Sequence, residues 1–300
     1  MILRVRDLVF FIALFAAFGA RTSNGLIVTG YDAELHDRGL GDSSFIGSTF
    51  DFSGVGRSGG QWATMISDQF FLSATHSHPS SSVTFYHPNG TTTATINVVG
   101  GSAIPNDRRR VAGLIVPGGV QTGGTTPSDT DLWVGQLATA VPSWVATYPL
   151  GALTMQGENV FVAGNCPNSL GSETCVTSPQ EFVLGTNDLD SVGNAITTAG
   201  SSTFGSIGAF YTRSTTASDT GDTRFEGGDS GGPTFVSRGG ALELVGIHSG
   251  VAPAQSVDVA VQAYASEINA IAVPEPSSFI FLSAVFLLIA GSKRFSTRVV

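Results

Sequence analysis

Charge is scarce in this chain. Asp, Glu, Lys and Arg make up 12% of its 300 residues, about half the share usual in globular proteins. Long charged helices are therefore few, and abundant Gly, Ser and Thr point to turn-rich β structure. Positive charge is scarcest: the formal net charge is −9. The one basic run, Arg108–Arg110, reads as a solvated loop, and no basic stripe is present to bind nucleic acid. Cysteine is nearly absent. Cys166 and Cys175, in NCPNSLGSETC, are the whole complement, and no histidine or third cysteine lies close enough to complete a zinc site. Pro167, Asn168, Ser169, Gly171 and Ser172 between them favour a turn, so a Cys166–Cys175 disulfide across a short hairpin loop is expected if the chain reaches an oxidising compartment. There is no EF-hand loop and no solenoid period. No metal and no other cofactor is expected.

Both ends carry address-like segments. Residues 1–20, MILRVRDLVFFIALFAAFGA, place Arg4 and Arg6 before an unbroken apolar run, the layout of a signal peptide. A buried first helix is the other reading. Phe18 stands two places before Ala20, so the cleavage point is blurred, and residues 1–24 are taken as the signal. At the other end, Pro274 and Pro276 break any preceding helix. An apolar run over 279–290 follows, shorter than the ~20 residues a comfortable membrane span needs, and then come Lys293 and Arg294. The Pro-Glu-Pro at 274–276, the apolar run and the basic end, in that order, resemble the PEP-CTERM sorting signal of Gram-negative bacteria. That resemblance covers residues 273–300. It implies transient membrane anchoring, processing by an exosortase-type enzyme, and delivery to the cell surface or extracellular matrix. A simple C-terminal membrane anchor remains open.

Between the ends, from about 25 to 272, short apolar segments alternate with Gly, Asn, Asp, Pro and Ser. SSVTFYHPNGTTTATINVVG (81–100) reads as a hairpin around Pro88-Asn89-Gly90. LWVGQL (132–137), NVFVAGN (159–165), EFVLGT (181–186), GPTFVS (232–237) and LELVGIHSG (242–250) read as strands. The spacing predicts an all-β barrel or sandwich. Residues 138–153 read as a connector between two halves. Over 258–271, Val261, Tyr264, Ala265 and Ile268 share one helical face, with Asp258 as N-cap.

One stretch carries chemistry. Residues 227–233, GGDSGGP, surround Asp229 and Ser230 with four glycines. A serine hydroxyl becomes a good nucleophile when a base takes its proton and an acid orients that base. Attack on a carbonyl creates an oxyanion that needs N–H donors. A glycine-rich turn can aim the N–H groups of Gly228 and Ser230 at a substrate with no Cβ in the way. Of five histidines, His76 ends the apolar segment FFLSATHSH, where a strand gives way to small residues. His78 and His87 read as loop or hairpin residues, and His36 lies in a polar segment. In TTPSDTDLWVGQL, Asp131 directly precedes a strand and can be held rigidly, whereas Asp129 reads as a turn residue.

These strings resemble the trypsin-like serine proteases of the chymotrypsin fold: LSATH around His76, DLWVGQL from Asp131, GDSGGP at 228–233, VGIHSG as the strand lining the substrate pocket, and a C-terminal helix. The resemblance covers about 26–272. It implies two six-stranded antiparallel β-barrels, about 25–140 and 150–257, followed by the helix 258–271. It also implies a catalytic triad of His76, Asp131 and Ser230 with an oxyanion hole at Gly228 and Ser230. The implied reaction is hydrolysis of protein or peptide substrates through an acyl-enzyme.

The chain departs from the family pattern too. Ser77 stands where the family has Cys, and the family's cysteine before the nucleophile loop is missing. In the family a freed Ile-Val amine pairs with the aspartate before the serine, here Asp229. Ile27-Val28 is the matching pair, with Thr29 in place of glycine. For specificity, Arg224, His248, Ser249 and Gly250 are placed along the substrate pocket. Arg224 there would favour acidic side chains, and a structural Arg–Glu pair is the other reading. The expectation is an exported serine endopeptidase. A non-catalytic binding or matrix protein of the same fold, or an esterase with the same triad, stays open.

Overall fold

The computed structural model describes residues 25–38, 43–88, 91–105, 129–152, 156–165, 182–199, 202–212, 221–252 and 255–272. The signal, the sorting tail, Cys166, Cys175 and Arg108–Arg110 lie outside these residues. The chain opens with β1 (Ile27–Val28) and a single helical turn, α1 (Ala33–His36). That turn is started by Asp32, whose carboxylate accepts the Glu34 N–H at 2.9 Å.

Six strands then close a barrel: β2 (Val55–Ser58), β3 (Gln61–Met65), β4 (Phe70–Ser73), β5 (Ser82–Tyr86), β6 (Thr93–Pro105) and β7 (Asp129–Leu137), in the order β2-β3-β4-β7-β6-β5. Ala63, Met65, Phe71, Val83, Phe85 and Leu137 fill its interior. Strand β4 pairs Phe71 with Gly135 of β7, and any Cβ at Gly135 would overlap the Phe71 ring. That glycine lets an aromatic ring lie across the barrel. Asp129, read as a turn residue, is the first residue of β7, and Asp131 sits inside the strand rather than before it.

Residues 138–152 connect the halves with turns and no strand, then dock where Leu150 bridges Leu244. The second half contains β8 (Asn159–Gly164), β9 (Val183–Asp188), β10 (Ser191–Ala199), β11 (Ser202–Thr212), β12 (Thr223–Arg224), β13 (Pro233–Arg238), β14 (Ala241–Ala252) and β15 (Gln255–Ala260). Seven of these form a curled half-barrel in the order β10-β11-β15-β14-β13-β8-β9, while β12 pairs with β1. The N-terminal segment therefore belongs to the second half: Ile27 faces Arg224, and Asp37 bridges Val183. The architecture is the all-β, chymotrypsin-type one that the resemblance implies, with seven strands in the second sheet and one C-terminal helix.

That helix starts later than its apolar stripe suggests. Asp258 is no N-cap; it lies buried in β15, opposite His248. Val257, Val259 and Val261 alternate with smaller or polar residues, and β-branched residues at period two favour a strand. A 3-10 turn (Val261–Tyr264) then leads into α2 (Ala265–Ala272), whose Ile268 and Ala272 are buried. Between the halves runs one continuous core in which Phe52 meets Phe182 and Phe235 edge-on, at 5.5 and 5.8 Å between ring centroids.

Candidate active site

The end of β4 sets the first component. Ala74 bridges Ser77, making a tight turn that presents His76 beside β7. The Thr75 hydroxyl donates to the Thr130 carbonyl at 2.9 Å, and the His76 N–H donates to Asp131 Oδ1 at 3.1 Å. His76 Nδ1 lies 2.7 Å from Asp131 Oδ2 and 2.9 Å from Oδ1. Its Nε2 lies 2.8 Å from Ser230 Oγ. The carboxylate accepts only, so Nδ1 carries the proton and Nε2 is left to accept from the serine hydroxyl. This is the tautomer a general base needs.

Asp131 is wholly buried, and the second half of the molecule helps to hold it. Ser249 Oγ donates to Asp131 Oδ2 at 2.7 Å, and Ser206 Oγ accepts the Asp131 N–H at 3.1 Å. With its one hydrogen committed, Ser249 Oγ accepts from Thr197 Oγ1 at 2.8 Å. A shift of register between His248 and Gly250 leaves Ser249 without a ladder partner. Bulges of this kind re-aim a side chain. The Phe204 ring lies 6.2 Å from the His76 ring.

The nucleophile loop explains its own glycines. Gly228 and Gly231 have φ of 104° and 86°, which L side chains rarely adopt. A Cβ on Gly231 would come within 2.7 Å of Ser73 Oγ, and one on Gly232 within 2.7 Å of the His248 ring. Much of the glycine content thus serves close packing of the loop on β4 and β14, and only part of it leaves room for a substrate. Gly227 and Gly228 are exposed and Ser230 is partly so. Among the described residues no protein acceptor takes the N–H of Gly228 or Ser230. Asp229, by contrast, is buried: Oδ1 accepts the Asn165 N–H at 2.7 Å and Oδ2 the Glu226 N–H at 2.8 Å. Burial pushes its carboxyl up to about 7, against the pull of those two N–H groups and of His248 and Arg57.

The residues placed along a substrate pocket have the following partners. Arg224 is paired with Ile27 across β1–β12 and forms an ion pair with Glu226, so its charge is neutralised locally. The His248 ring is buried; Nδ1 meets Asp258 Oδ1 at 2.7 Å, Nε2 meets the Ala163 carbonyl at 2.9 Å, and its face stacks on Phe225. Ser249 serves Asp131, and Gly250 pairs with Val257 in the sheet. The side chains of Arg224, His248 and Ser249 are thus committed within the protein. Ile27 faces Arg224 across β1–β12, Leu26 and Asp229 both approach the Cα of Gly164, and the Leu26 N–H donates to the Asn165 carbonyl at 2.8 Å. The remaining histidines have other partners: His36 turns back on Asp32, His78 stacks on Trp133, and His87 lies beside Trp144.

Thr197, Ser206, Asn165 and Arg57 were not foreseeable as site residues. Each acts across strands far apart in sequence, and no local pattern marks them. Among the described residues no group of three or more His, Cys, Asp or Glu could hold a metal ion, and no helix is long and apolar enough to cross a membrane.

The profile of the family described as Trypsin matches residues 49–271. No curated protein matches the chain. Among solved structures, a mutant of human heparin binding protein is 15% identical, covering 76% of this chain and 95% of its own, with a TM-score of 0.49. Neuropsin, a serine protease of mouse brain, is 17% identical, covering 72% and 92%, with a TM-score of 0.46. Kallikrein-related peptidase 10 is 17% identical, covering 73% and 93%, with a TM-score of 0.43.

Proposed function

The chain belongs to the trypsin family, and on that premise we propose that it is an exported serine endopeptidase with Ser230 as nucleophile, His76 as base and Asp131 as orienting acid. The observation that carries this reading is the unbroken hydrogen-bonded line from Ser230 Oγ through both ring nitrogens of His76 to a buried carboxylate. In the reaction proposed, Ser230 Oγ bonds to the scissile carbonyl carbon while its proton passes to His76 Nε2. The carbonyl oxygen takes the negative charge and accepts from the N–H groups of Gly228 and Ser230. Collapse breaks the C–N bond, and the imidazolium gives its proton to the leaving amine. Water, deprotonated by His76, then cleaves the Ser230 ester. Asp131 remains ionised throughout and stabilises the imidazolium.

Export rests on the sequence of residues 1–24. The Pro-Glu-Pro tail adds surface delivery through exosortase-type sorting, and the same route supports a Cys166–Cys175 disulfide. The test is fluorophosphonate labelling of the purified full-length chain beside Ser230→Ala and His76→Ala. Labelling of the unaltered protein alone is expected. A correctly folded protein that takes no label overturns the enzymatic reading and favours a binding role for the same fold.

A further inference from the structure

The nucleophile loop is held from the opposite barrel. Arg57, in β2, lies with its guanidinium over the Trp62 indole, 3.8 Å from the ring centroid. One of its terminal nitrogens donates to Asn165 Oδ1, just beyond β8. The Asn165 amide nitrogen donates to the Gly228 carbonyl, and Trp62 Nε1 donates to that same carbonyl at 3.3 Å. The Asn165 backbone N–H donates to Asp229. A cationic donor on one side of the Asn165 amide and a carbonyl on the other leave a single chemically sensible orientation of that amide.

We propose that Arg57 is a positioning residue for the nucleophile loop, acting through Asn165 to fix Gly228 and to balance the charge of Asp229. This rests on the reading of Ser230 as nucleophile. Gly228 supplies one proposed oxyanion donor, and its carbonyl is pinned by two side-chain donors, so its orientation is set by the seam between the halves. The groups that face Asp229 are the Asn165 and Glu226 amides, His248 and Arg57. His248 is already hydrogen-bonded to Asp258 at 2.7 Å. Arg57 makes no direct ion pair among the described residues, so its field is available to the buried carboxylate. Only a guanidinium can stack on an indole and donate in the ring plane at once; an ammonium keeps the charge and loses the fork. The oxyanion site is then complete only when the two halves are closed on each other.

The experiment compares full-length wild type with Arg57→Gln, Arg57→Lys and Asn165→Ser by two readouts. Hydrogen exchange of the segment 225–232 reports the loop itself, and the pH profile of fluorophosphonate labelling reports its chemistry. For Arg57→Gln, exchange of the loop should rise about tenfold while strands β3–β7 keep their protection. Labelling should slow by ~10–100-fold, part of what a lost oxyanion donor costs, and its acid limb should move to higher pH. Arg57→Lys should return the acid limb toward wild type without restoring the full rate. Asn165→Ser, which keeps the charge, should loosen the loop with the acid limb unmoved, and it decides the matter should Arg57→Gln fail to fold. Loop exchange and pH profile equal to wild type in a folded variant overturn the proposal. A wild type that takes no label overturns the enzymatic reading alone, and the exchange arm still tests the brace.

Discussion

Inside the first barrel, Asp131 is the one buried charged side chain among the described residues; the rest of the interior is apolar apart from Ser53, Thr64, Ser73 and Thr130. Around the second sheet, Asp229, His248 and Asp258 are all buried, together with Asn187, Thr197, Ser206, Thr223, Thr234, Ser249 and Ser256. One half closes on itself around Phe71 and Phe85. The other curls without closing and buries, beside an apolar core, polar groups such as the His248–Asp258 and Thr197–Ser249 hydrogen-bonded pairs. Each buried charge costs stability unless it is paired. The first barrel therefore acts as a stiff frame that presents His76 and Asp131, and the second spends folding energy on holding the loop that buries Asp229. Local opening is expected to start in the second half.

That contrast is most severely tested at the seam. Ser230→Ala and His76→Ala should each lower kcat by on the order of 10⁵–10⁶, and the double variant should be no worse than either. Peptide hydrolysis measures this, and additive losses would break the idea that the two halves supply one machine. Next in size is Phe71→Ala, which should destabilise the first barrel by about 3–5 kcal/mol in urea unfolding, with no change in pH dependence.

The second half should show the opposite pattern. Asp229 has its carboxyl raised from 3.8 to about 7 in the folded protein. The unfolded chain releases that proton first, so the stability tied to the protonated form is present below pH ~4 and is lost as pH rises to about 7. Relative to Asp229→Asn, whose amide cannot ionise, wild type should lose up to about 4 kcal/mol across that window, at 1.36 kcal/mol per pH unit. Urea midpoints of both proteins from pH 4 to 8 decide it, and parallel curves would falsify the buried-charge account. Ser249→Ala should cost roughly 1.5–3 kcal/mol of transition-state stabilisation, seen as a fall in kcat with KM little changed. Arg238, which pairs with Glu158 and Glu243 at the surface, marks the lower end: Arg238→Ala should move the unfolding free energy by under about 1 kcal/mol.

What the sequence made legible follows the same division. His76, Asp131 and Ser230 each sit in a short string that carries its own context, and strands such as LWVGQL and LELVGIHSG announce themselves by apolar runs. Asn165, Arg57, Thr197 and Ser206 carry no such context. Their roles depend on which strands meet, on the unpaired Ser249 in β14, and on a contact between β2 and the end of β8. The helix start at Asp258 misled because an acid before an apolar stripe looks like a cap, whereas here its carboxylate is taken by His248. The glycines of GGDSGGP pointed to a close neighbour. Two of them find that neighbour in Ser73 and His248.

Ser230 comes 154 residues after His76, and Ser249, which steadies Asp131, comes later still. At about 5–20 residues per second, a ribosome needs roughly 8–30 s to cover that distance. Asp131 follows His76 by 55 residues, and for the rest of that interval the proposed base and its acid are already made and have nothing to activate. On the reading proposed here, a message cut short anywhere before codon 230 yields a chain with no nucleophile, so the order of translation shields the producing cell from its own unfinished copies.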